Sequence, residues 1–174
     1  MSSESPVFYD CEASGLEGFV IEIGWAFTPP GRGKIVSAGY LVRPAPHWEI
    51  DASWDPNAEA LHGVSLDHLL KHGRPAWEVA RTMNRALAGR ELFSDSPNDE
   101  LWTRQIFDEA GVDPTFTLRR MDANILLERA IANRGFDLAR YRRVKEEAER
   151  HRSHRAEADA LVWATLWRMV MTST

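Results

Sequence analysis

Asp10 and Glu12 stand two residues apart in a run, 7–12, whose β-branched and aromatic residues predict a strand. Side chains at i and i+2 of a strand leave the same face, so the two carboxylates share one small volume. Like charges held this close raise each other's cost of ionisation unless a cation neutralises them, and oxygen ligands suit hard divalent ions such as Mg²⁺ or Mn²⁺. Solvated acids at a strand end are the plainer account of the pair. Two further acids carry the argument. Asp99 is followed by Trp102 and Ile106 at i+3 and i+7, and Asp159 by Val162, Trp163, Leu166 and Val170 at i+3, i+4, i+7 and i+11. Each acid therefore heads the apolar stripe of a helix and faces inward, where carboxylates seldom go without a partner. Asp99 also has a local use, since with Ser96 it fits a capping box. His154 lies five residues before Asp159, a spacing that within one regular helix points the two in rather different directions. Both reach one pocket only if His154 precedes the helix, from where an imidazole can take a proton from water. The other histidines, among them His47, His68, His72 and His151, are read as surface or structural groups.

The elements that must position these groups are legible from periodicity. Strands are predicted at 7–12, 20–27 and 35–42, separated by turn chemistry at Gly15, Gly18 and Pro29-Pro30-Gly31, which makes a meander. From Pro75 the period lengthens: Ala76, Val79, Ala80, Met83 and Leu87 share a helical face, and Gly89 ends it. A short strand at 91–95 leads into a helix that starts with Ser96-Pro97 and ends at Gly111, and 116–118 reads as a further strand. Helices follow at 122–133, 138–151 and 156–171. Strands first, then helices with strands among them, predict an α/β mixed sheet covered by helices. Trp25, Trp163 and Trp167 fall on faces that pack inward, Cys11 points away from the acids by strand alternation, and Trp48 and Trp54 lie in a long connection before His62.

The 174 residues, 44% of them hydrophobic, suffice for one core, and we read 1–174 as a single domain. One cysteine forms no internal disulfide, and no paired Cys or His spacing suits zinc. With no leader-like segment and no apolar run of membrane-spanning length, the expected setting is cytoplasmic, away from membranes. A net charge of −5 argues against nucleic-acid binding through a broad basic surface but is compatible with an acidic pocket. The run from Arg140 to Arg155 is locally basic, and the helical spacing of Arg142 with Glu146, Arg143 with Glu147 and Lys145 with Glu149 predicts a solvated, ion-paired face.

The segment Phe8-Tyr9-Asp10-Cys11-Glu12-Ala13-Ser14-Gly15-Leu16, followed by Ile21-Glu22-Ile23-Gly24, resembles the first motif of the DEDDh 3′→5′ exonucleases, D-x-E-T-T-G-L and then I-E-I-G. His154-Arg155-Ala156-Glu157-Ala158-Asp159-Ala160 is similar to the family's third motif, H-x-A-x-x-D-A, and Leu61-His62-Gly63-Val64-Ser65 resembles its I-H-G-I-T segment. Where the second motif reads H-N-x-x-F-D, this chain has Asp95-Ser96-Pro97-Asn98-Asp99. Alignment on the final acid selects Asp99, while Asp95 takes the usual histidine position and is the rival third ligand. Ala13-Ser14 replaces the usual Thr-Thr pair.

The resemblance implies an RNase H-like fold, with a central mixed sheet of about five strands flanked by helices. It implies two Mg²⁺ or Mn²⁺ ions about 4 Å apart, bridged by Asp10, with Glu12 and Asp159 on one ion and Asp99 on the other. His154 would be the general base, and single-stranded DNA or RNA would be shortened from its 3′ end to nucleoside 5′-monophosphates. Backbone amides of Ala13 and Ser14 would hold that end, Leu16 would wedge against terminal bases, and His62 would lie near the last nucleotide. Some relatives form homodimers. The rival reading is a catalytically idle RNase H-like module that binds nucleic acid or a polymerase partner.

Overall fold

The computed structural model describes residues 5–29, 33–119 and 122–172. Strands β1 (Val7–Ala13), β2 (Val20–Phe27) and β3 (Val36–Leu41) form the expected antiparallel meander. Pro30 and Gly31 of the expected turn lie outside the described residues. The long connection then holds two helices that periodicity did not reveal, α1 (Pro56–His62) and α2 (Leu66–His72). Each is only seven residues, too short to display a period, but their caps are local chemistry. The Asp55 side chain accepts from Asn57 N–H, the Ser65 side chain accepts from His68 N–H, and Gly63 ends α1 at φ 69°.

Helix α3 (Ala76–Leu87) leads to β4 (Glu91–Phe93), α4 (Pro97–Ala110) and β5 (Thr117–Leu118), and α5 (Ala123–Arg134), α6 (Leu138–Arg150) and α7 (Ala156–Thr172) complete the described chain. The strand order is β3-β2-β1-β4-β5, with β4 parallel to β1 and β5 parallel to β4, so the sheet is mixed and five-stranded. Helices cover both faces, which is why β2 is buried along its whole length. Alternation along β1 sorts its side chains between two apolar clusters. Tyr9 and Cys11 join Met83 of α3 and Trp102 and Ile106 of α4. Phe8, on the other face, joins Leu127 of α5 and Trp163 and Leu166 of α7. Asp10 and Glu12 continue the Phe8 side toward the N-terminus of α7. Cys11 is buried beside Thr103, away from that face as expected. Trp25 and Trp163 are buried and Trp167 packs half-buried against the second cluster. Trp48 stacks on Phe19 with ring centroids 4.9 Å apart. Among the described residues no helix is long and apolar enough to cross a membrane.

One close approach sets the distance between sheet and helix at the end where the acids lie. Gly24 pairs with Asp10 across the β1–β2 ladder. A Cβ on Gly24 would stand 2.1 Å from the Glu157 backbone nitrogen and 2.3 Å from the Ala156 carbonyl carbon. Backbone atoms cannot move aside as a flexible side chain can, so any larger residue pushes the first turn of α7, and Asp159 with it, off the sheet. Gly24→Ala should lower unfolding stability by about 1–3 kcal/mol or more, measured by urea denaturation followed through tryptophan fluorescence. A change within about 0.5 kcal/mol would mean that α7 is not seated this closely.

Candidate active site

Asp10, Asp99 and Asp159 are 3%, 1% and 4% exposed, although they come from β1, α4 and α7. Glu12, His154 and Asp159 bring one ligand atom each within 4.8 Å of one another, and Asp10, Asp95 and Asp99 do the same. The two groups are joined through β1, which carries Asp10 and Glu12 on the same side. Asp99 does not complete a capping box. The Ser96 hydroxyl accepts from Asn98 N–H at 3.2 Å, and Asp99 Oδ2 instead accepts from the Ser94 hydroxyl at 2.6 Å. Asp95 and Asp99, rivals in the sequence, both reach the cluster. His154 sits ahead of α7 in the left-handed region, φ 49°, in the turn that its spacing from Asp159 demands.

The electrostatics of this cluster are those of a site short of positive charge. Burial, then Asp99 and Glu12, hold the Asp10 carboxyl well above the ordinary carboxylate range. Glu12 is pushed up to about 8 by burial and then by Asp159 and Glu22. Burial lifts Asp99 to about 7 against the opposing hydrogen bond from Ser94. Asp10 Oδ2 and Asp95 Oδ1 are buried without a hydrogen-bond partner. Orphaned carboxylate oxygens among like charges are what a hard divalent ion would satisfy, so the donor set fits Mg²⁺ or Mn²⁺.

Two arginines also enter, and sequence reasoning missed both. Arg152 was expected on the solvated face of the basic run. Its guanidinium lies instead against the acids, with Nε 2.7 Å from Asp159 Oδ2, Nη2 3.1 Å from Asp10 Oδ1 and Nη1 3.7 Å from Asp95 Oδ2. The available signal was that Arg152 lies two residues before His154, in the same break between helices. Arg155 makes two bonds of 2.9 Å to the buried Glu22 of β2, tying this connection to the sheet. Elsewhere in the run Lys145 pairs with Glu149 as expected, while Glu147 takes Arg150 and His151.

The residues expected to meet substrate lie on the far side of Glu12. Ala13 and Ser14 are buried, and the Ser14 hydroxyl accepts from Phe19 N–H at 3.0 Å while Ser14 N–H donates to Phe19 O at 2.8 Å. Ser14 thus closes the 14–19 loop with its own groups. Leu16, at the tip of that loop, is 76% exposed. It borders an open recess of about 470 Å³ shared with Trp54 and Asp55. His62 is buried at the end of α1, its Nδ1 accepting from Val64 N–H at 3.0 Å, and burial holds its imidazole below the ordinary histidine range.

The mixed sheet in this strand order, with its flanking helices, is an RNase H-like fold. Solved structures of that class superimpose on nearly the whole chain. A zinc-bound complex of E. coli exonuclease I with single-stranded DNA matches with TM-score 0.69 at 14% identity, over 98% of this chain and 41% of that one. E. coli exonuclease I with a dA16 oligonucleotide matches with TM-score 0.69 at 13% identity, again over 98% and 41%. A further exonuclease I structure matches with TM-score 0.67 at 15% identity, over 99% and 42%. This chain therefore spans about two fifths of the length of those chains. At such identities the likeness establishes the fold. No family model matches the chain, and no curated protein matches it in sequence.

The raised carboxyls have a measurable consequence. A group whose folded-state pKa is raised contributes stability that is complete below its unfolded value and is lost as pH rises through the folded value. For Glu12 the window runs from 4.5 to about 8, and for Asp99 from 3.8 to about 7. In EDTA, Glu12→Gln should therefore gain melting temperature relative to the original chain as pH climbs across that window, and Mg²⁺ should cancel the gain. Thermal melts at intervals of pH measure it; a difference independent of pH would contradict the crowding of charge around Glu12.

Proposed function

We propose that this chain is a metal-dependent 3′→5′ exonuclease that hydrolyses phosphodiester bonds of single-stranded nucleic acid and releases nucleoside 5′-monophosphates. The observation that carries the proposal is the convergence of Asp10, Glu12, Asp95, Asp99 and Asp159 with His154 at the end of β1, drawn from separate elements. Asp10, Glu12 and Asp159 would hold one ion, and Asp10 with Asp99 or Asp95 a second. Mg²⁺ or Mn²⁺, when bound, supplies Lewis-acid polarisation of the phosphate and a lowered pKa for water. His154, outside α7 and beside Glu12 and Asp159, accepts the proton of the attacking water at an imidazole nitrogen. The leaving 3′-oxygen belongs to the next nucleotide, so each turnover yields a 5′-monophosphate.

Leu16 gives the 14–19 loop an apolar tip against which a terminal base can lie, with the neighbouring recess as room for it. His62, neutral and buried, backs this region through an edge-on contact with Trp54 at 6.4 Å between ring centroids. The structural neighbours include complexes with single-stranded DNA, which makes DNA the first substrate to test and RNA the second. One observation favours an idle binding module instead: Arg152 already supplies a cation to three of the acids.

Purified protein with 3′- and 5′-labelled single-stranded DNA and RNA, in Mg²⁺, Mn²⁺ or EDTA, separates these readings. Shortening from the 3′ end should require metal and vanish in Asp10→Ala; an active Asp10→Ala protein, or none active with any metal, would sink the nuclease. His154→Ala should lower kcat by about 10²–10⁴-fold while Mn²⁺ binding is kept. Leu16→Ala should raise KM for oligonucleotides and leave the melting temperature unchanged; an unaltered KM removes its role at the terminal base.

A further inference from the structure

Arg152 leaves the chain just after α6 ends, and its contacts fall on both candidate ligand groups. Asp159 belongs with Glu12 and His154, whereas Asp10 and Asp95 belong with Asp99. The guanidinium therefore lies between the two groups, bonded to Asp159 Oδ2 at 2.7 Å and to Asp10 Oδ1 at 3.1 Å. An arginine fork can join two carboxylates in this way while bringing a single positive charge. That charge does not complete the site, because Asp10 Oδ2 and Asp95 Oδ1 stay buried without a partner. The arginine side chain is itself 34% exposed, on a long flexible stem outside any helix, so its route back to water is open. Asp10 and Asp159, by contrast, are fixed within β1 and α7.

We propose that Arg152 is a positioning residue, a resident cation that gathers Asp10 and Asp159 and competes with divalent ions for their oxygens. A guanidinium nitrogen and a metal ion cannot share one oxygen lone pair in the same place, so an ion that takes Asp10 Oδ1 or Asp159 Oδ2 draws Arg152 off that acid. The cost of leaving Asp10 and Asp159 unneutralised is thereby reduced before metal binds, and metal affinity is set by the difference between two cations rather than by the carboxylates alone. The inference rests on the proposed function's reading of these acids as a divalent-ion site, but not on cleavage of any substrate.

The test uses Mn²⁺ as the probe, with the full chain and without nucleic acid. Titration followed by electron paramagnetic resonance should show Arg152→Gln binding Mn²⁺ about tenfold tighter than the original chain, a difference of about 1.4 kcal/mol. Arg152→Lys, which keeps the charge but not the fork, should fall between them. In EDTA the melting temperature of Arg152→Gln should lie below that of the original chain, and saturating Mn²⁺ should close that gap. A merely structural arginine would lower both stability and metal affinity. Equal or weaker Mn²⁺ binding by Arg152→Gln overturns the proposal. Should that variant fail to fold in EDTA, nitrogen-15 spectra of the original chain decide. The Arg152 Nε–H signal, identified by its loss in Arg152→Lys, should shift as Mg²⁺ is added, with the same midpoint as Mg²⁺ binding. A signal unmoved at saturation overturns the proposal equally. A chain that binds metal with the predicted competition but shortens no oligonucleotide would lose the nuclease reading and keep this one. Absence of Mn²⁺ binding in all three proteins would remove both.

Discussion

Mutual repulsion among carboxylates at the end of β1 is the constraint around which the rest of the molecule is arranged. Asp10, Glu12, Asp95, Asp99 and Asp159 gather within two neighbouring groups, and Asp10, Asp99 and Asp159 are almost fully buried. Such a cluster works against folding, as the raised Asp10, Glu12 and Asp99 carboxyls record. It persists because apolar packing elsewhere holds the supporting elements in place. The wholly buried β2, with one apolar cluster on each side of the sheet, leaves the acids little freedom to spread apart.

That arrangement also explains how distant segments contribute. Asp99 heads a helix packed on the Tyr9 face and Asp159 a helix packed on the Phe8 face, so the site draws on both helical layers around the second half of β1. Gly24 lets α7 approach the sheet closely, and the Arg155–Glu22 pair ties the preceding connection to β2. Helices and strands carry Asp10, Glu12, Asp99 and Asp159, while Asp95 lies between β4 and α4, and His154 and Arg152 come from a short break between helices. Most of the proposed metal ligands are thus on regular elements, and the proposed proton acceptor and the proposed displaceable cation are on a connection.

The strands, the helices α3 to α7, the shared face of Asp10 and Glu12 and the inward direction of Asp99 and Asp159 were legible in the sequence, because each depends on spacing of two, three or four residues along one element. So was the place of His154 ahead of α7, which five-residue spacing to Asp159 required. The helices α1 and α2 were not, since seven residues do not establish a period. The alternatives left open at Asp99 also lay beyond local pattern: a cap with Ser96 and a ligand facing Asp10 use the same residues at the same spacing.

Sequence by itself determined which side chains share a face, because that follows from the fixed repeat of strand and helix. Only the tertiary structure decided which faces meet. It brought Asp95 and Asp99 to the same cluster, turned Ser14 inward to close its own loop and left Leu16 in solvent. Above all it carried Arg152 out of a basic run, where its neighbours are ion-paired and exposed, onto Asp10 at 142 positions' separation. No local periodicity spans that distance. The contact exists because the break after α6 aims one arginine at the clustered acids, and the packing of α7 on β1 and β2 puts them within its reach.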